Sequence, residues 1–201
     1  PPESSAPPAP VGAALSSPSS EFKRPLASLS FAANYLSTGL DPYWMKLTNL
    51  TIHLLNGWLI YLLARTLLRS FPGYGQGRTG VVAALIAGGW MLLPINLTGV
   101  LYVVQRMESM ANLFVLLGLL GYVAGRRRML GLATLPSGSM DSPKREWISA
   151  DASGLLLCIA SITIPTLLGL LAKETAVMLP LYAGLVEWMV FQLRTPAGRR
   201  D

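Results

Sequence analysis

The chain has 201 residues, 52% of them hydrophobic and 13% charged, with a formal net charge of +6 and a mean hydropathy of +0.47. Soluble domains carry about 25% charged residues, so this composition excludes an ordinary soluble domain and points to a surface lying largely in lipid. The basic excess would suggest nucleic acid on a soluble protein, but here the basic residues flank apolar runs, so membrane lipid is the expected partner and nucleic acid is not.

Residues 1–22 are rich in Pro, Ser and Ala and read as a flexible segment. They have no basic start followed by an apolar core, so no secretory signal is read there. A multispanning protein needs a first hydrophobic segment, and the chain is therefore expected to be an internal piece of a longer one. Residues 25–40 are apolar but short and interrupted, too short for the roughly 20 residues of a span, and predict a helix lying at the interface. The first span is predicted over 47–68, followed by a Gly- and Pro-punctuated loop. The second is predicted over 80–95, the third over 109–125, the fourth over 150–171 and the fifth over 175–193. A long basic loop is expected from Arg126 to Glu146, with Arg126–Arg128 as a topology signal. Cys158 lies inside the fourth run and forms no intrachain disulfide.

The expected fold is therefore all-α: a polytopic membrane protein of about five transmembrane helices with an N-terminal interfacial helix. The flexible segment covers 1–22, the membrane domain 23–194 and a short tail 195–201. One set of loops holds 11 of the 16 basic residues. The positive-inside rule makes those loops cytoplasmic, so the N-terminus is expected outside the cytoplasm and the C-terminus within it.

The polar residues fall on the opposite side. The first group is Lys23-Arg24, with Asn34 and Asp41-Pro42 behind it. Asn49, His53 and Asn56 follow in the first span, at spacings that place all three on one helical face. They read either as cavity lining or as an interhelical hydrogen-bonding stripe. Gln105-Arg106 and Glu108-Ser109 precede the third span, and Lys173-Glu174 ends the fourth. Arg and Lys can hold phosphate oxygens, one as a planar fork and the other as a point charge. Glu108 and Glu174 can pair with these cations, bind a metal or act as a base, and spacing does not choose among these roles. No second His or Cys stands at ligand spacing from His53, so no protein metal site is expected.

These same clusters resemble a known family. The run Arg24-Pro25-Leu26 … Ser30-Phe31 … Asn34-Tyr35 … Gly39-Leu40-Asp41-Pro42, then Asn49 … His53-Leu54-Leu55-Asn56, is similar to the membrane domain of TPR-containing GT-C-type glycosyltransferases, including the transmembrane-and-TPR O-mannosyltransferases. Tyr102-Val103-Val104-Gln105-Arg106-Met107-Glu108-Ser109 resembles that family's YxxQRxES segment. Ala172-Lys173-Glu174 … Leu179-Pro180 … Glu187-Trp188 resembles its (S/A)KE…LP…E segment.

The resemblance implies transfer of a sugar from a polyprenyl-phosphate donor to an acceptor hydroxyl of a protein or glycan, on the extracytoplasmic face of a bacterial inner membrane or of the endoplasmic reticulum. Arg24, Gln105, Arg106, Glu108, Lys173 and Glu174 would then bind substrate. A divalent metal would enter only together with the donor. The chain departs from the family pattern in three places. Leu93-Pro94 stands where His-Pro is usual, no paired acids occupy an outer loop, and no 34-residue repeat is visible. The catalytic base is thus unassigned, and a non-catalytic scaffold or a transporter-like protein stands as the alternative.

Overall fold

A computed structural model describes residues 24–70, 76–130 and 143–192, with side chains from 152 onward in the last stretch. Lys23 and the segments expected over 1–22 and 195–201 lie outside the described residues. Those described form helices and no strand: α1 (Pro25–Thr38), α2 (Pro42–Leu68), α3 (Gln76–Leu92), α4 (Pro94–Leu101), α5 (Arg106–Met129), α6 (Pro143–Leu170) and α7 (Leu179–Val186). Two 3-10 turns, Val103–Gln105 and Glu174–Met178, precede α5 and α7, and a π-helical turn, Glu187–Phe191, continues α7.

Four stretches are long and apolar enough to cross a membrane: Pro42–Leu68, Val103–Met129, Ala152–Leu170 and Glu174–Phe191. The pair Gly77–Leu92 and Pro94–Leu101, bent by 61°, makes a fifth when counted as one span. The all-α membrane fold expected from sequence is therefore present, with one span broken where a straight one was predicted. Pro94 is the cause. It has no N–H to give to the carbonyl four residues earlier and its ring crowds that turn, so the chain restarts as a separate short helix.

Local chemistry sets the helix ends. Gly39, at φ +69°, closes α1 with its N–H on Tyr35 O, a left-handed position that glycine adopts without strain. Asp41 then caps α2 by accepting from the Tyr43 N–H at 2.9 Å, with Pro42 in the first helical position. This cap moves the start of the first span from the predicted 47 back to 42. At its far end α5 runs to Met129, so Arg126, Arg127 and Arg128 belong to a helix and not to the loop expected there. Cations in a last turn favour the helix dipole.

α2 and α5 run parallel, since Asn49 meets Arg106 near their starts and Thr66 meets Arg127 near their ends. α6 returns antiparallel along α5. Gly118, Gly121 and Gly125 of α5 face Ser161, Cys158 and Gly154 of α6. A Cβ at Gly121 would sit 2.6 Å from Ser161 Cβ, and one at Gly125 2.9 Å from Gly154 O. In lipid, where apolar surface gains little by association, such small-residue seams let backbones approach and pack. The core lies beside this seam, built from Ala111, Val115, Leu119, Ala172, Ala176, Leu179 and Ala183.

Candidate functional site

The polar stripe of α2 explains how the broken span survives in a membrane. Backbone carbonyls freed by a helix break have no water to bond in hydrocarbon, so protein groups must satisfy them. His53 Nε2 donates to Met91 O at 3.2 Å and its ring stacks on Trp90. Asn49 Nδ2 lies 3.4 Å from both Val100 O and Tyr102 O, and Asn56 Nδ2 donates to Ser109 O at 2.9 Å. Asn96 Nδ2 takes Trp90 O, the carbonyl that Pro94 leaves free, at 2.6 Å. The stripe is thus a ladder of side-chain donors along residues 91–109. Of the two readings open from sequence, the hydrogen bonds are those of interhelical packing. Gly57 completes the seam, because a Cβ there would collide with Met91 Sδ.

Arg106 sits fully buried at the start of α5. Its Nε donates to Asn49 Oδ1 at 2.8 Å. Nη1 donates to Asn34 Oδ1 at 2.7 Å and Ser30 O at 3.2 Å, and Nη2 to Met45 O at 3.0 Å. The guanidinium carbon lies 4.6 Å from the centre of the Phe31 ring. In this geometry every nitrogen of Arg106 is committed to α1 or α2. The acceptors are all neutral, so a buried positive charge stands at this end of the bundle without a bonded counter-ion.

Above Arg106, three segments far apart in sequence converge. Arg24 Nη2 lies 3.0 Å from both carboxylate oxygens of Glu174, and Nη1 lies 3.6 Å from Met107 Sδ. Lys173 pairs with Glu108. Lys173 has an extended backbone between α6 and the following 3-10 turn. The Leu26 N–H donates to Leu171 O at 3.1 Å and ties the start of α1 to this break. All four charged side chains remain open to solvent, at 24% for Arg24, 55% for Glu174, 27% for Lys173 and 43% for Glu108. Arg24 Nε is buried and meets no acceptor. Gln105 stands exposed at the end of its 3-10 turn, outside the ion pairs. The structure therefore gathers Arg24, Glu108, Lys173 and Glu174, and places Arg106 and Asn49 beneath them as support.

A second charged cluster lies at the other end of α5, roughly 30 Å away at 1.5 Å per residue. Arg126 Nε donates to Glu187 Oε2 at 2.7 Å, its Nη2 pairs with Oε1, and Tyr122 OH donates to Oε2 at 2.9 Å. Arg126 was expected only as a topology signal, and it forms this interhelical bond with Glu187, the first residue of the π-helical turn. Glu187 belongs to one of the motifs, but nothing in the sequence names its partner 61 residues away.

A metal accompanying a donor finds no ready ligand set. Among the described residues no three His, Cys, Asp or Glu side chains gather, and both acids of the open cluster are held by cations. These residues do not fit a protein-held metal.

Two curated proteins are similar to this chain. One is the protein O-mannosyl-transferase Tmtc1 of Drosophila melanogaster, 34% identical over 178 residues, which is 89% of this chain and 16% of that protein. The other is the protein O-mannosyl-transferase tmtc2 of Xenopus laevis, 35% identical over 100 residues, which is 50% of this chain and 11% of that one. These matches support a Tmtc-like group for this chain. It spans about a sixth or less of the length of these relatives. No family model and no solved structure matches it. The match to Tmtc1 runs along most of the Tmtc-like chain, and with the apolar helices it makes this a membrane protein.

Proposed function

We propose that this chain is the part of a membrane protein O-mannosyltransferase that receives the phosphate of a polyprenyl-phosphate-linked sugar donor, at the Arg24–Lys173 end of the bundle. One observation carries the reading: Arg24 and Lys173, from segments about 150 residues apart, are held side by side and solvent-open by Glu174 and Glu108.

Each cation has a partner that holds it in place, and each remains accessible enough to exchange a carboxylate for a phosphate oxygen. With Arg106 below, three cations stand against two carboxylates, and a singly charged phosphodiester would close that balance. In the reaction an acceptor hydroxyl oxygen bonds to the anomeric carbon, the bond from that carbon to the phosphate oxygen breaks, and the hydroxyl proton passes to a carboxylate base. The charge that develops on the leaving phosphate is what Arg24 and Lys173 would stabilise. The asymmetry of basic residues supports an extracytoplasmic location for this end. The names of the relatives support a protein acceptor and mannose as the sugar.

The test is sugar transfer from the lipid donor by the full-length protein carrying Arg24→Gln or Lys173→Gln. Each is expected to lose transfer by roughly 10²-fold while the protein remains folded and monodisperse. Unchanged transfer by both variants sinks the reading.

A further inference from the structure

Asn34 stands out in the sequence behind Arg24, and the transfer reading gives it no role. Ser30 and Asn34 lie one turn apart on α1, and Arg106 Nη1 donates to both, to Ser30 O at 3.2 Å and to Asn34 Oδ1 at 2.7 Å. The Phe31 ring lies against the same guanidinium. Asn34 Nδ2 donates to Thr48 Oγ1 of α2 at 3.1 Å, and its Oδ1 is thereby the atom that faces the cation. Arg106 is fastened to α2 in turn, through Asn49 Oδ1 and Met45 O. The apolar packing of α1 is slight by comparison. Among the described residues it buries only Ala27, with Leu26 packed at the edge of the core. A helix of 14 residues is marginal on its own, so polar contacts must do much of the docking.

We propose that Asn34 is a positioning residue for the phosphate site: by accepting from Arg106 it holds α1 in the register at which Arg24 meets Glu174. The proposal rests on the transfer reading for what Arg24 does, and on the hydrogen bonds alone for how α1 is held. Arg106 is the first residue of α5, and the next one, Met107, is the residue that Arg24 Nη1 approaches to 3.6 Å. The same end of α5 therefore meets α1 twice, at Asn34 and at Arg24, roughly 15 Å apart at 1.5 Å per helical residue. A hydrogen-bonded helix is stiff over that length, so a slip at Asn34 is carried to Arg24. Magnitudes decide which contact governs. The Arg24–Glu174 pair is solvent-open, and such pairs are worth little. The hydrogen bonds of the buried Arg106 are charge-assisted, about twice as strong as neutral ones, and a buried cation that loses its acceptors is costly. The clasp at Asn34 sets the position of α1, and the surface pair follows it.

The test uses the full-length protein with two readouts, amide hydrogen exchange along α1 and sugar transfer from the lipid donor. N34A is expected to speed exchange over α1 roughly tenfold, the low end of what a lost hydrogen bond to a charged group costs, while α6 keeps its parent rate. N34D, which keeps an acceptor for Arg106, should return α1 to the parent rate. Exchange over α1 that N34A leaves unchanged, or that N34D fails to restore, overturns the clasp. Transfer by N34A is expected to fall about tenfold in the parent background and no further in R24Q, because Asn34 acts through Arg24. Losses that multiply in N34A/R24Q overturn that route. If R24Q by itself leaves transfer unchanged, the transfer reading fails, and the exchange readout still decides the clasp. Should N34A not fold, N34Q, which keeps the amide but displaces its oxygen by one methylene, carries the same comparisons.

Discussion

The two charged ends of α5 use the same residue types to opposite effect. At the Arg126 end, arginine and glutamate are each 12% exposed, a tyrosine takes part of the carboxylate, and the Phe191 ring lies 5.7 Å from the guanidinium carbon. At the Arg24 end, the side chains of the ion pairs are 24–55% exposed. The first is a closed interhelical clamp, and the second is a pair of exchangeable contacts. Burial decides between them. A pair out of water is hard to break because each partner would be left desolvated, whereas a pair in water is worth little and readily trades partners. Ionisable residues near membrane helices are commonly taken as functional by default. Here that expectation applies to the open end, and the closed end is architecture.

Arg106 is the largest test of this contrast, because it is a closed site lying directly beneath the open one. Arg106→Ala removes the donor from four acceptors on α1 and α2, that of Asn49 buried and the others partly so, and unsatisfied buried groups cost about 1–3 kcal/mol each. With partial relaxation, a loss of at least about 3 kcal/mol in unfolding free energy is expected in detergent. Arg106→Lys should recover only part of it, because an ammonium cannot reproduce the fork that meets Asn49, Asn34 and Met45 together. Full recovery by lysine would show that charge alone matters there and would reopen Arg106 as a ligand contact. A smaller loss is expected for Glu187→Ala, about 2 kcal/mol, since Arg126 and Tyr122 retain slight access to water. That loss should be nearly the same at low and high salt, because a pair this enclosed is weakly screened. A strong salt dependence would show that the clamp is open after all.

Much of this arrangement was readable in the sequence. Apolar run length gave the spans, and the spacing of Asn49, His53 and Asn56 gave one helical face, because both depend on local periodicity. Arg24, Glu108, Lys173 and Glu174 were legible as candidates because charge beside an apolar run is conspicuous. Their division of labour was not. Arg106 and Lys173 look alike in the sequence, yet one is buried by the docking of α1 and the other is left open by the break between α6 and the next turn. The Leu93-Pro94 break was hidden inside an apolar run whose length fits an unbroken span. The Gly118, Gly121 and Gly125 seam was illegible for a related reason: glycine reads as weak helix former, and its value appears only when a second backbone approaches. The pairing of Arg126 with Glu187 joins residues 61 apart on different helices, which no local spacing announces.

The sharpest separation of the two ends comes from the variant expected to disturb stability least. In Arg24→Glu/Glu174→Arg the ion pair is rebuilt with its charges exchanged. Both side chains are solvent-open, so the swapped pair should form, and the unfolding transition should lie close to that of the parent at low and high salt. A merely structural pair would then be fully restored. A phosphate-binding cation would not, because the positive charge now rises from the 3-10 turn at Glu174, while the start of α1, beside Met107, carries a carboxylate that repels the donor. Transfer is therefore expected to remain depressed by roughly 10²-fold, as in Arg24→Gln, with the apparent KM for the lipid donor raised. The Arg24→Gln and Glu174→Gln singles place the swap on a scale. If the swap recovers transfer together with stability, then the pair as such is what the reaction needs, and the open end is an interhelical clamp like the closed one.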